Sequence, residues 1–123
     1  MSQDSPWFKS YPQGVPHEVD LDEYRSTVSV FETAVRDYRE RPAFCNFGKT
    51  LTYNEIDAHS RDFAAYLLGE LKLKKGDRVA IMMPNCLQYP IAIFGILRAG
   101  LTVVNVNPMY TARELRHPLI DSG

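Results

Sequence analysis

Cysteine is scarce in this sequence. Cys45 and Cys86 are its only thiols, and two widely spaced cysteines make neither a disulfide framework nor a C-x-x-C metal knuckle. Both are expected as buried thiols in a reducing compartment. A surplus of charge is missing as well. Lys and Arg number 14 against 15 Asp and Glu, for a formal net charge of -1, so overall charge points to no nucleic acid and no acidic lipid. Long apolar runs are absent. The longest, Leu87 to Leu97, is interrupted by Gln88, Pro90 and Gly95, and a membrane span needs roughly 18 or more apolar residues. No secretory leader is visible, because Met1 to Asp4 are polar and Trp7, Phe8 and Tyr11 are broken up by Lys9, Ser10 and Pro12. The cytoplasm is the expected location. His17, His59 and His117 lack metal-ligand spacing, and no internal repeat or low-complexity segment is found.

What is present is ordinary for a soluble globular protein: 45% hydrophobic and 24% charged residues in 123, enough for one small domain. Residues 1–20 carry Pro6, Pro12, Gly14 and Pro16 among aromatics, fit no helical or strand period, and read as an extended arm. Trp7, Phe8 and Tyr11 are costly to leave in water, so the arm is expected to pack either on its own body or on a partner subunit.

Residues 21–123 read as α/β. Val28, Phe31, Val35 and Tyr38 recur on one helical face. Ser26 is a plausible N-cap, and Pro42 lies just past the helix end. Residues 43–53 read as a hairpin, with Gly48-Lys49 as a two-residue loop, glycine first. Thr52 and Glu55 form a capping box for a second helix, whose stripe is Ile56, Phe63, Ala64, Leu67, Leu68 and Leu71. His59, near that stripe, is expected to pack at its boundary, with no acid or nucleophile beside it to support catalysis.

The turn Lys74-Lys75-Gly76-Asp77 introduces an apolar strand from Arg78 to Met83, expected to be covered on both faces. Leu87 to Arg98 is helical in length and apolar nearly all round, and Gly100 ends it. Asn85 is the expected cap, although Pro90 argues for a start one or two residues later. Thr102 to Asn107 is a second β-branched strand. The spacing predicts a βαβ unit over 78–107, within an incomplete, mostly parallel sheet with flanking helices. Thr111 and Glu114 make another capping box, and Pro118, two turns on, predicts a kink or a restart.

One motif is tempting. Ala43 to Thr50 fits a loose phosphate-loop pattern ending in Gly48-Lys49-Thr50. Such a loop needs a strand before it and a helix opening at the lysine. Arg41-Pro42 precede it and the next cap is Thr52, so Lys49 reads as a solvated turn residue. Asn85 and Asn107 follow the carboxyl ends of the two strands, where α/β proteins often bind ligands. The plainer reading makes them a helix cap and a turn. No catalytic, cofactor-binding or metal-binding residue is assigned within the 123 residues.

An ordered series carries a resemblance. Leu51-Thr52-Tyr53-Asn54-Glu55 is followed by Gly76-Asp77-Arg78-Val79, Met83-Pro84-Asn85, Leu97-Arg98-Ala99-Gly100, Val104 to Pro108 and Tyr110 to Leu115. From Tyr11 onward the chain resembles the first part of the adenylate-forming acyl-CoA synthetases. Within that superfamily it is similar to bacterial long-chain fatty-acid–CoA ligases, through Met82-Met83-Pro84-Asn85, Leu87-Gln88-Tyr89-Pro90 and Phe94-Gly95-Ile96-Leu97. The resemblance implies a parent enzyme that joins a fatty acid to coenzyme A with ATP and Mg²⁺. The carboxylate first displaces pyrophosphate to give an acyl-adenylate, and the thiol of coenzyme A then displaces AMP. The family's phosphate loop, adenine contacts, hinge and catalytic lysine belong to later sequence, so the 123 residues are expected to be inactive alone. Self-association as a homodimer is expected, through an unpaired edge of the Thr102 to Asn107 strand or exchange of the aromatic arm, and a peripheral contact with the inner face of the membrane is left open. The rival expectation is a stand-alone α/β ligand-binding or oligomerisation module.

Overall fold

The computed structural model describes residues 5–123; the first four residues of the arm lie outside the described residues. Helix α1 (Thr27–Tyr38) starts at Ser26, whose hydroxyl accepts from the Ser29 amide while Ser29 returns the bond to the cap. Phe31 and Val35 point inward and are buried, whereas Tyr38 remains exposed. Strands β1 (Pro42–Asn46) and β2 (Lys49–Thr52) form an antiparallel hairpin. Helix α2 (Tyr53–Gly69) follows directly. Strand β3 (Arg78–Ile81), helix α3 (Gln88–Arg98) and strand β4 (Thr102–Asn105) make the expected βαβ unit, with β3 and β4 parallel and Val79 opposite Val103. Helix α4 (Ala112–Ser122) closes the order. The hairpin and the parallel pair are two separate two-stranded sheets.

Two apolar clusters hold these elements together. In one, Leu67 of α2, Ile81 of β3, Ile96 of α3 and Leu101 meet. In the other, Phe31 and Val35 of α1 meet Ile56 of α2, and the Phe94 ring of α3 stacks on Phe31 at 3.9 Å. Helix α3 thus touches both clusters, as a helix that is apolar nearly all round should. Ile56 and Ile96 are fully sequestered from water.

Several expectations are corrected. The hairpin turn is Phe47-Gly48 and Asn46 pairs with Lys49, so glycine is second in the loop and the hairpin runs from 42 to 52. Both turn residues have positive φ, 48° at Phe47 and 78° at Gly48. That is the turn whose twist matches the flanking strands, and its cost falls on Phe47, whose side chain projects into solvent. Pro90 sits in the first turn of α3, where no amide is needed, and the N-cap is Leu87 without a side-chain bond, so Asn85 does not cap the helix. Helix α4 continues through Pro118 without a restart. Strand β3 buries only one face: Ile81 points into the core and Ala80 is exposed. Cys45 is exposed and Cys86 half-buried, so neither is a core thiol. His59 is exposed, and Leu68 and Leu71 leave the stripe for solvent.

The arm is not extended throughout. Pro6–Ser10 wind into a 3-10 turn, and the aromatic side chains pack on one another. Phe8 lies flat on His17 at 4.1 Å, with Tyr11 edge-on at 5.5 Å to both.

The capping boxes of α2 and α4 each hold a glutamate carboxyl. The Thr52 amide and then its hydroxyl hold the Glu55 carboxyl below its ordinary value, and Thr111 does the same for Glu114. A depressed carboxyl contributes its stability above the ordinary pKa of 4.5 and loses it as pH falls through the lowered value. The amide resonances of Thr52 and Thr111 should therefore titrate with midpoints below 4.5. Midpoints at or above that value would show that the boxes do not form in solution.

Candidate functional site

The two parallel strands point their carboxyl ends the same way, and the loops that leave them splay apart there. The result is a cleft of about 490 Å³ between Met83-Pro84-Asn85 and Val106 to Tyr110. Sequence folds each wall for a local reason. Asn107 accepts the Met109 amide through its side chain at 2.9 Å, and its carbonyl accepts the Tyr110 amide at 3.0 Å, which curls the second loop. This is the turn expected of Asn107-Pro108. Across the cleft, the Tyr89 hydroxyl donates to Asn105 Oδ1 at 2.7 Å, tying the first turn of α3 to the end of β4.

An apolar groove of about 310 Å³ adjoins the cleft and shares Asn85 and Tyr89 with it. Phe44 of β1 forms one side, and Pro90, Ile93 and Phe94 of α3 form the other. The Asn46 side chain donates to the Asn85 carbonyl at 3.3 Å and closes one end. An apolar trough beside neutral amide and phenol groups can bind and orient a ligand. Its titratable groups are the phenols of Tyr89 and Tyr110 in the cleft and the thiols of Cys45 and Cys86 in the groove. Among the described residues no group of three or more His, Cys, Asp or Glu could hold a metal ion.

The polar cluster of this fold lies elsewhere, between the helices. Arg98, the last residue of α3, donates to the Asp57 carbonyl and the Ser60 hydroxyl, both at 3.0 Å, and pairs with the Asp57 carboxylate. Arg61 takes the other Asp57 oxygen at 2.7 Å, and the Arg98 guanidinium lies 5.0 Å over the Phe31 ring. Asp57 and Ser60 are buried. Every group in the cluster serves another, so it fastens α1, α2 and α3 and offers nothing to a ligand.

Lys49 lies in β2, exposed, with α2 beginning four residues later, so the backbone there cradles no phosphate. Asn85 and Asn107 do meet at one cleft. Sequence reasoning missed Tyr89 and Asn105, whose pairing spans the crossover. The available signal was a hydroxyl in the first turn after one strand and an amide at the end of the next.

A βαβ unit whose cleft opens at the carboxyl ends of its strands defines the class: an α/β fold. The family profile described as AMP-binding enzyme matches residues 31–123, and the chain belongs to that family. It is 58% identical over 117 residues to a long-chain-fatty-acid–CoA ligase of Yersinia pestis, and 38% identical over 122 residues to one of Bacillus subtilis. Those matches cover 95% and 99% of the chain but 21% of each relative, so the chain spans about a fifth of their length. In fold it is similar to the N-terminal subdomain of Klebsiella oxytoca NpsA, with a TM-score of 0.76 and 24% identity over 81% of this chain and 26% of that one. No described helix is long and apolar enough to cross a membrane.

Proposed function

We propose that the chain is the N-terminal structural part of an ATP-dependent long-chain fatty-acid–CoA ligase, which converts fatty acid, ATP and coenzyme A to acyl-CoA, AMP and pyrophosphate. Residues 1–20 form its arm and residues 21–123 the opening portion of its large α/β domain. The reading rests chiefly on the 58% identity that runs along nearly the whole chain to ligases five times its length. The residues present do not fit Mg²⁺ or a nucleotide triphosphate: the cleft holds neutral amides and phenols, with no carboxylate cluster and no phosphate-cradling lysine. The groups that hold ATP, Mg²⁺ and coenzyme A belong to the rest of the enzyme. The part played here is to set the floor of the domain and the βαβ register against which the rest assembles.

A chimera tests this. The chain would replace the aligned segment of the Yersinia pestis ligase. Oleate-dependent pyrophosphate release should persist in the chimera and be absent from the 123-residue chain alone. A soluble, folded chimera without turnover would defeat the reading, as would turnover by the isolated chain.

The whole enzyme, in this reading, is a cytoplasmic homodimer that meets the inner face of the membrane peripherally. Self-association is supported by the arm, where Trp7 and Val19 are 60% and 79% exposed, and by Leu21 just after it, which is 87% exposed. Such side chains commonly find partners when they form a patch. Light scattering of the chain across a dilution series should show dimer mass at high micromolar concentration. A persistent monomer would refute the dimer without touching the ligase assignment.

A further inference from the structure

Helix α4 has two sides of different chemistry. Leu115, Pro118 and Ser122 are half-buried and mark the sheltered side. At 3.6 residues per turn, Arg113, Arg116, His117 and Ile120 lie about half a turn away. All four are exposed and line one shallow depression of about 290 Å³. No ion pair among the described residues uses Arg113, Arg116 or His117. Glu114 is turned back to the cap, where the Thr111 amide and hydroxyl donate to it at 2.8 and 2.7 Å. Asp121, the other acid of the helix, stands on the flank. The outward face is therefore locally cationic although the whole chain is not.

We propose that this face of α4 docks on an anionic lipid surface. The proposal rests on the peripheral contact proposed above and assigns it a place. Ile120 decides between lipid headgroups and a soluble phosphate. It is 66% exposed and lines the same depression as the two arginines. A site for a free phosphate gains nothing from an isoleucine at its centre. At a bilayer interface the same arrangement is favourable: the guanidiniums reach headgroup phosphates while the Ile120 side chain enters the acyl boundary. Pro118 faces the sheltered side and leaves this face intact.

Flotation with vesicles gives the test. The chain should bind phosphatidylglycerol vesicles and not phosphatidylcholine vesicles. Each arginine near an anionic surface strengthens binding about fivefold, so Arg113→Gln with Arg116→Gln should weaken it about thirtyfold. Ile120→Ser should weaken it as well, with the helical circular dichroism of all variants unchanged. Binding that inorganic pyrophosphate displaces and that Ile120→Ser leaves intact would identify a soluble-phosphate site and overturn the proposal. Absence of binding to either vesicle would also overturn it, while turnover by the chimera would still stand.

Discussion

Replacing Arg98 with alanine is expected to destabilise the protein by about 3–5 kcal/mol, the range for removing one partner of a buried ion pair. The loss comes less from the missing attraction than from what is left behind. Asp57 keeps Arg61 on its outer oxygen, but the inner oxygen and the buried Ser60 hydroxyl lose the Arg98 donor together, and the Asp57 carbonyl is left with the Ser60 hydroxyl. A domain of this size has about 5–15 kcal/mol in total, so much of the variant should be unfolded at 37 °C. Urea unfolding checks this. The double variant Arg98→Met with Asp57→Leu should recover a large part of the loss, because a well-packed apolar pair can replace a buried ionic one. Equal stability of the single variant and the parent would mean that the guanidinium is solvated and the helices are fastened by other means.

Gly95→Val is expected to be nearly as damaging, at about 3 kcal/mol, the upper part of the range for overpacking. Helices α2 and α3 approach so closely that a Cβ on Gly95 would lie 2.7 Å from a ring carbon of Phe63 and 3.0 Å from the Ser60 carbonyl. The ring can swing away, but the carbonyl is backbone and cannot move without shifting α2. Alanine should cost less, because its helix propensity, worth about 1 kcal/mol over glycine, offsets part of the clash. Thermal unfolding that ranks valine above alanine, or finds both above glycine, would show that the helices stand further apart.

What was legible in the sequence was local. The caps at Ser26, Thr52 and Thr111 form as read, because a cap and its partner are three residues apart and need no tertiary context. The βαβ unit was legible because apolar periods and Gly100 with its positive φ mark its ends. The hidden parts depend on partners distant in the chain or on small angular differences. Arg98 and Asp57 are 41 residues apart, and nothing local distinguishes an acid that will be buried from one that will not. His59 and Ser60 differ by one helical step, about 100°, and that step puts Ser60 in the core and His59 in water. The turn moved by one residue because strand twist favours two positive φ values even when one falls on phenylalanine. The cleft was foreseen only as two asparagines after two strands; the bond that spans it, from Tyr89 to Asn105, required the crossover to be folded.

The difference between the two sheets also governs the order in which they form. The hairpin closes over Phe47 and Gly48 alone, and hairpins form in about 1–10 μs. The parallel pair joins Arg78 to Thr102 and cannot meet until α3 has been laid between the strands. Non-local pairing must meet its loop entropy before any contact rewards it, so it comes late. During synthesis, Phe31, Val35 and Ile56 are all out before β4 exists, and the cluster they found can wait for Ile91 and Phe94. The ligand-sized cleft at the ends of β3 and β4 therefore comes into being only with the slowest step, and an interrupted chain would have the hairpin but no cleft.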